Sequence, residues 1–305
     1  MKLSEYAKSI GVSYKTAWRM WKRGDLKAEQ LPSGTAIVKL DNPITKGVVI
    51  YAQVRIVPKL NHYIVEVVYN VLVISKNKLD KSQVAGVDLG LSNLATITSN
   101  IEDFQPIIVN GNPLKSINQY FNKVKGKFQS IVKKGSTKNI QKLCIERNFK
   151  VDDYLHKASR FVVNHLIDRG IGTLVIGKND TWKQELNIGK RNNQNFTQIP
   201  HERFVHQLKY KAELAGINVI ITEESYTSKA SFLDLDVIPT YKKGIQHTFS
   251  GKRIQRGLYQ SKSGKLINAD VNGSYNIIKK AIANAFSNGI EGVVVHPARL
   301  NLQTS

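Results

Sequence analysis

Residues 84–90 read Val-Ala-Gly-Val-Asp-Leu-Gly, an apolar strand pattern that carries one acid, Asp88, near its end. An ionised carboxylate between Val87 and Leu89 has to be paired or bind a cation, because burying a lone charge is costly. The segments LATIT (94–98) and FQPIIVN (104–110) follow after short turns and predict two further strands. We therefore expect a sheet whose first strand ends on a functional carboxylate.

Helices and strands alternate after these three strands. The predicted order is helices over 113–134 and 143–169, a strand over 173–177, a helix over 203–215, a strand over 217–222 and a terminal helix over 271–286. Three strands followed by this alternation is the order of an RNase H-like fold. The sequence therefore predicts an α/β domain over 81–298, with a mixed sheet flanked by helices, and a short tail at 299–305.

The first 40 residues predict a small DNA-binding module. Leu3 and Ala7 keep a helical spacing, and Ser13 suits the N-cap of a second helix. With a strand wing at 34–40, this is a helix-turn-helix pattern, whose second helix enters the major groove. That helix would present Tyr14, Lys15, Thr16, Arg19 and Lys22 to DNA. The alternative is a plain helical hairpin that docks on the next domain.

Residues 41–80 predict a β-rich subdomain. Apolar, β-branched residues are dense between 47 and 75, and a turn is expected at 58–61. The pattern is that of a β-hairpin. It carries no obvious chemistry, so we interpret it as a small platform.

The charge of the chain points to a nucleic-acid partner. It has 45 Lys and Arg against 23 Asp and Glu, a formal charge of +22. The basic residues are clustered: ten against one acid over 110–150, and seven with no acid over 241–265. Clustered cations bind phosphates and release counterions, and aromatic residues between them favour nucleic acid. For either run alone, the alternative is a solvated basic surface.

Cysteine content and hydropathy limit the cellular location that we expect for the protein. A single cysteine, Cys144, forms neither an internal disulfide nor a zinc site of cysteines. No run of 18 apolar residues occurs, so a membrane partner is not expected. We expect a cytoplasmic, nucleoid-associated protein.

Three acidic positions form a candidate metal site. Asp88 ends the first strand, Glu223 and Glu224 end the fifth, and Asp270 lies at the start of the last helix. In an RNase H-like sheet these positions converge, and a hard divalent cation such as Mg²⁺ would remove the repulsion between them. Two such ions support phosphodiester hydrolysis. The structural alternatives are a helix N-cap at Asp270 and an outward-facing glutamate on the fifth strand.

Four segments together resemble a known family: GVDLG (86–90), IPHERFVHQLKYKAELAGI (199–217), ITEESYTSKASF (221–232) and INADVNGSYNI (267–277). In this order they look like the RuvC-like nuclease core of TnpB proteins, which are transposon-encoded RNA-guided nucleases. The resemblance implies an RNase H-like fold, Mg²⁺ as cofactor with Mn²⁺ as the alternative ion, and cleavage of DNA directed by a transposon-end guide RNA. Asp88 and Asp270 fall on the aspartates of the first and third motifs.

The chain departs from the family pattern in its glutamate and in its insert. Gly177 stands where the usual glutamate follows the fourth strand, and Glu224 matches a relocated-glutamate subset better than Glu223. The insert at 230–269 lacks the zinc-ribbon cysteines, so no zinc is predicted. We expect it to fold around its apolar and aromatic residues, namely Phe232, Leu233, Tyr241, Phe249 and Tyr259.

The front of the chain also departs from the family. Its first residues resemble the MerR-like helix-turn-helix of the serine recombinase that accompanies such nucleases, which predicts a truncated fusion of the two proteins. The resemblance also implies that the β-rich residues 41–80 are a remnant of a wedge-type domain. The expected function is a transposon-associated, Mg²⁺-dependent DNA endonuclease. Backbone contacts are expected from Lys190, Arg191, Lys252, Arg253 and Arg256. The alternatives are a nuclease-inactive DNA- or RNA-binding regulator and an inactive fusion remnant.

Overall fold

The computed structural model describes residues 3, 4, 7, 13–23, 28–30, 36–38, 49–59, 62–71, 77–132, 135–178, 194 and 197–302. The chain divides into two units, one of Met1–Gln53 with Val67–Leu72 and one of Val54–Glu66 with Val73–Ser305. Among the described helices, none combines the length and the apolar composition that a membrane-spanning segment needs.

In the first unit, helix α1 spans Tyr14–Arg23. Its start agrees with the predicted cap, because the Ser13 hydroxyl accepts a hydrogen bond from the Thr16 N–H at 3.1 Å. Strand β1 (Ala28–Gln30) pairs antiparallel with β2 (Ala36–Val38), where the wing was expected. Most of the preceding helix lies outside the described residues, so the helix-turn-helix stays a prediction.

Strands β3 (Val49–Lys59) and β4 (His62–Val71) form a two-stranded sheet, as the hairpin pattern predicted. The turn starts later than expected, because β3 continues through Pro58. Proline is tolerated near the end of a strand that has a free edge.

The main sheet has six strands in the order β13-β7-β6-β5-β8-β9. Their ranges are β5 Asp80–Leu89, β6 Asn93–Ser99, β7 Ile107–Asn110, β8 Ile171–Gly177, β9 Asn218–Thr222 and β13 Ala298–Leu300. Strand β6 runs antiparallel to β5 and β7, whereas β8 runs parallel to both β5 and β9. A central first strand, an antiparallel second and two later parallel strands on its other side make the RNase H-like fold. The predicted fold class is confirmed.

Helices cover both faces of this sheet. They are α2 (Asn112–Val132), α3 (Lys138–Asp168), α4 (His201–Leu214) and α5 (Ala269–Ala281). Ala85 and Val87 belong to the core on the side of α3 and α4, whereas Val84 belongs to the core that includes α5. Since strand side chains alternate, Asp88 is on the α5 side.

Two differences from the predicted elements concern the last third of the chain. Helix α5 ends at Ala281 and not at 286, because Ile282 is extended (φ −134°) and the chain turns back. The turn brings Phe286 against Phe232, with 4.9 Å between ring centroids. Strand β13 was not predicted. Its three residues are too short for a recognisable pattern, and Arg299 and Leu300 belong to the sheet and not to a tail.

The insert forms a three-stranded antiparallel sheet of β10 (Lys252–Gln255), β11 (Leu258–Gln260) and β12 (Leu266–Asn268). Of the residues expected to hold it, Phe232 and Tyr259 are buried, but Tyr241 is exposed. Tyr241 was therefore wrong as a core residue; its ring lies beside that of Tyr226 at the surface.

Two aspartates fasten the insert through hydrogen bonds. The Asp236 carboxylate accepts from the Ser231 N–H at 2.8 Å and from the Ser250 hydroxyl at 2.6 Å. Asp234 accepts from the Ser231 hydroxyl at 2.5 Å and from the Lys262 N–H at 2.8 Å. These bonds join distant parts of the insert.

We predict that Asp236→Asn lowers the free energy of unfolding by about 2 kcal/mol at pH 7, since it removes charge-assisted hydrogen bonds. Burial raises the pKa of Asp236, but hydrogen bonds from Ser250 and Ser231 outweigh it and the pKa falls below its usual 3.8. The stabilisation is therefore present above pH 4 and is lost as the pH falls through the lowered pKa. Urea unfolding measured from pH 7 to pH 3 checks both statements.

The control is Glu213→Gln, which removes an exposed ion pair with Lys209 at 4.0 Å. Its effect should stay below about 1 kcal/mol. Equal losses in the two variants would contradict the role given to Asp236.

Candidate metal centre

The predicted carboxylates lie at one edge of the sheet. Strands β5, β8 and β9 are parallel, so their carboxyl ends meet there. Asp88 is the last but one residue of β5, and Glu224 comes two residues after β9. Asp270 lies in the first turn of α5, the helix packed on the same face of β5.

Helix α5 approaches β5 very closely. The Ser274 hydroxyl donates to the Gly86 carbonyl at 3.0 Å. Gly273 faces Asp88, and a Cβ atom at 273 would lie only 2.8 Å from the Asp88 Oδ2. A larger residue at 273 would therefore displace the Asp88 carboxylate or the helix from its position.

The two adjacent glutamates have different surroundings. Glu223 is paired with Lys280 and also accepts from the Ser225 N–H at 2.6 Å. These hydrogen bonds outweigh burial and hold the pKa of Glu223 below its usual value. Burial raises the pKa of Glu224 to about 7, with Glu223 adding to the effect and Lys280 opposing it.

Glu224 lies beside the position where the family usually has its glutamate. A Cβ atom built on Gly177 would come within 3.2 Å of the Glu224 Oε2. The same atom would lie only 2.5 Å from the Ile277 Cδ1, so a larger side chain at 177 would require Ile277 to move. The Glu224 carboxylate, which comes from the segment after β9, thus lies against the last residue of β8.

Hydrogen bonds to α5 fix the segment that follows Glu224. The Asn276 side-chain amide donates to the Thr227 carbonyl at 2.9 Å and to the Ala230 carbonyl at 2.7 Å. Asn272 donates to the Ala230 carbonyl at 2.8 Å. The Thr227 hydroxyl donates back to the Glu224 carbonyl at 2.8 Å. This network gives a role to Asn272 and Asn276, two of the three asparagines of the INADVNGSYNI segment.

Asp270 is not the helix cap. The Asn268 side chain accepts from the N–H groups of Asp270 and Val271, so the cap is Asn268 and the N-cap alternative for Asp270 is wrong. The Asp270 carboxylate instead accepts from the Asn93 amide at 2.5 Å and lies 3.4 Å from an Arg253 nitrogen.

The pKa of Asp88 is affected by burial and by both other carboxylates. Burial raises its pKa well above the usual value, Asp270 and Glu224 raise it further, and Arg253 opposes them. Among the described residues, no group of three or more His, Cys, Asp or Glu side chains is arranged to hold a metal ion. The donor set nevertheless suits a hard divalent cation, because all three groups are carboxylates and a cation would relieve the charge that raises the pKa of Asp88.

A basic cavity of about 610 Å³ opens beside Asp270. Its lining includes Arg253 and Arg256, which were expected at a nucleic-acid backbone, and also Arg299, which was not. Arg256 and Lys115 both donate to the Ser92 hydroxyl, at 3.1 and 2.5 Å.

Arg299 connects the edge strand to the carboxylates. It donates to the Asn93 Oδ1 at 3.1 Å, and Asn93 in turn holds Asp270. Only the structure brings these residues together, since β13 and β6 are far apart in the chain. Of the other expected backbone contacts, Lys252 is exposed on β10, and Lys190 and Arg191 lie outside the described residues.

The five side chains expected to read DNA are all exposed on α1. The Lys22 ammonium lies 4.4 Å from the centre of the Trp21 ring, a cation–π contact on the same helix. Ala17 is buried on the other side.

Comparison with known proteins shows that parts of the chain are similar to transposon-associated proteins. A family described as "Probable transposase" matches residues 62–183, and one described as "Cas12f1-like, TNB domain" matches 201–277. A curated relative, the TnpB-like protein ORF457 of Acidianus two-tailed virus, is 26% identical over 216 residues, which is 66% of this chain and 42% of the relative. The chain thus spans less than half the length of that relative. The matches confirm the predicted relation to TnpB-type proteins.

Three solved structures are similar at 15% identity. A Cas12f1–sgRNA–target DNA complex matches over 73% of this chain and 55% of that chain, with a TM-score of 0.45. A CRISPR-Cas12f ternary complex matches over 86% and 47%, also with a TM-score of 0.45. C2c1 of Alicyclobacillus acidoterrestris with single-guide RNA matches over 56% and 20%, with a TM-score of 0.36.

We predict that Gly273→Ala lowers the free energy of unfolding by about 1–3 kcal/mol, because its Cβ atom overlaps the Asp88 carboxylate. The matched control is Gly126→Ala in α2, where a Cβ atom meets nothing within 4 Å. That change should raise the free energy of unfolding by about 0.5–1 kcal/mol through helix propensity. Urea unfolding of both variants checks this, and similar gains in both would show that α5 does not approach Asp88 as described.

Proposed function

We propose that this chain, a relative of TnpB-type proteins, carries a divalent-metal-dependent DNA endonuclease site formed by Asp88, Glu224 and Asp270. The observation that supports it most is electrostatic. Two carboxylates from other elements act on Asp88, a residue that is also desolvated. Such a cluster is costly in a folded protein and is typical of functional sites.

The metal would be Mg²⁺, with Mn²⁺ as the alternative, held by the three carboxylates. When bound, it would activate water and stabilise the leaving oxygen in phosphodiester hydrolysis. Other residues of the chain would orient the metal ligands and bind the substrate. Asn93 orients Asp270 through its amide, and Arg253 and Arg256 bind phosphates of the DNA strand in the adjoining cavity.

We extend the proposal to guidance by RNA from the transposon end. The family resemblance supports it, and the solved proteins that are similar include complexes with guide RNA and target DNA. The charge of +22 suits a protein that binds two nucleic acids. The alternative, a regulator that binds without cutting, uses the same cavity and makes no use of the carboxylates.

Substitutions of Asp88 and of the two adjacent glutamates test the proposed nuclease site. With purified chain, Mg²⁺ and single-stranded or plasmid DNA, with and without transposon-end RNA, Asp88→Asn and Glu224→Gln should each reduce cleavage by about 100-fold or more. That is beyond the losses usual for residues that only orient a ligand. Glu223→Gln should cut within about threefold of the unaltered chain, after correction for any loss of folded protein, because Glu223 pairs with Lys280.

The results of these assays distinguish a nuclease from a binding regulator and also distinguish the roles of the two glutamates. Cleavage that survives in Asp88→Asn would refute the site. Salt-sensitive DNA binding by a chain that never cuts would favour the regulator. A loss in Glu223→Gln larger than in Glu224→Gln would exchange the roles of the two glutamates.

A second proposal concerns α1. Its exposed basic and polar side chains support sequence-specific binding of transposon-end DNA in the major groove. Arg19→Ala should then weaken binding to transposon-end DNA about tenfold and leave binding to unrelated DNA nearly unchanged.

The control for the loss of one positive charge is Arg55→Ala. Arg55 lies on β3, outside α1, and is paired with Glu66 at 3.2 Å. Fluorescence anisotropy with the two DNA duplexes measures all three proteins. An Arg19→Ala chain with unchanged preference for the transposon end would contradict the proposal.

A further inference from the structure

A second cavity lies between α2 and α3, and none of the three carboxylates lines it. It has a volume of about 270 Å³ and a mainly apolar wall formed by Ile117, Tyr120, Phe121 and Leu143. Tyr120 is 64% exposed, so its ring is accessible to a partner at the cavity. The metal site described above uses none of these residues.

The polar side of this cavity is held in place. The Arg147 guanidinium donates to the Asn118 Oδ1 at 2.8 Å and to the Gln198 carbonyl at 2.6 Å. It also lies 5.8 Å from the centre of the Phe121 ring. A guanidinium fixed beside aromatic rings offers a flat, charged surface on which a planar group can stack.

The surroundings of the cavity are strongly basic. Lys150 lies on its rim, and Lys125 lies 5.6 Å from the centre of the Phe121 ring. Over 110–150 the sequence has ten Lys and Arg against one acid, Glu146, which also lines the cavity. An apolar partner would leave these cations without a counterpart, whereas a chain of phosphates would pair with them.

We propose that this face binds single-stranded RNA by inserting an unpaired base between Tyr120 and the Arg147 side of the cavity. The rings supply stacking, Lys150 pairs with the backbone, and the Glu146 carboxylate accepts from an exocyclic amine. RNA is the occupant because its loops and bulges expose unpaired bases, whereas the bases of duplex DNA stay stacked inside the helix. The proposal does not depend on the metal site.

Binding in EDTA tests the proposal separately from cleavage. The full chain is titrated with a labelled single-stranded RNA, with DNA of the same sequence and with a DNA duplex, and anisotropy is measured. Tyr120→Leu keeps an apolar side chain but removes the ring, and should weaken RNA binding about tenfold. Tyr120→Phe should bind within twofold of the unaltered chain, because stacking is kept.

The matched control is Phe149→Leu. Phe149 lies on α3 and is 58% exposed, but it does not line the cavity, so its loss should change RNA affinity by less than twofold. Salt dependence separates stacking from charge. Tyr120→Leu should keep the slope of log K against log salt, whereas Lys150→Ala should reduce its magnitude by about 0.7.

Three results would overturn the proposal. If Tyr120→Leu binds RNA like the unaltered chain, the face serves a protein partner or a second copy. If the duplex competes as well as RNA, base insertion is wrong. If single-stranded DNA binds as tightly as RNA, the assignment to RNA is wrong.

Discussion

The close packing of α5 on the central strand β5 is the constraint on which the candidate site depends. Gly273 leaves room for the Asp88 carboxylate at the contact, and Asp270 lies at the start of the same helix. Asn272 and Asn276 extend the influence of α5 to the segment after Glu224. One helix therefore sets the positions of three carboxylates that come from distant parts of the sequence.

The same end of the sheet combines opposite charges. Burial, followed by repulsion from the other two carboxylates, raises the pKa of Asp88, while arginines line the cavity next to Asp270. The arginines offset part of the negative charge, since an Arg253 nitrogen lies 3.4 Å from the Asp270 carboxylate. A cation and a phosphate together would satisfy both, which is the situation of a nuclease with its substrate.

The sheet and its helices could be predicted from the sequence, because strand and helix periodicities are clear in 84–177 and 199–222 and the order of elements limits the topology. The candidate carboxylates could be identified because acidic residues are scarce in this chain and because Asp88 and Glu224 come at or just after the ends of predicted strands. Arg299 could not be placed, since nothing local shows that β13 returns beside β7. The cap at Asn268 was missed because two neighbouring residues both suit that role.

The contact between Gly177 and Ile277 limits which side chains the end of β8 can carry. A Cβ atom at 177 would lie 2.5 Å from the Ile277 Cδ1, so a glutamate placed there would require Ile277 to move before it could reach the space that Glu224 occupies. A smaller residue at 277 would make that room, but by itself it would leave a cavity and a less stable protein. Substitutions at 177 and 277 are therefore coupled, and the order in which they are introduced affects the stability of the intermediate protein.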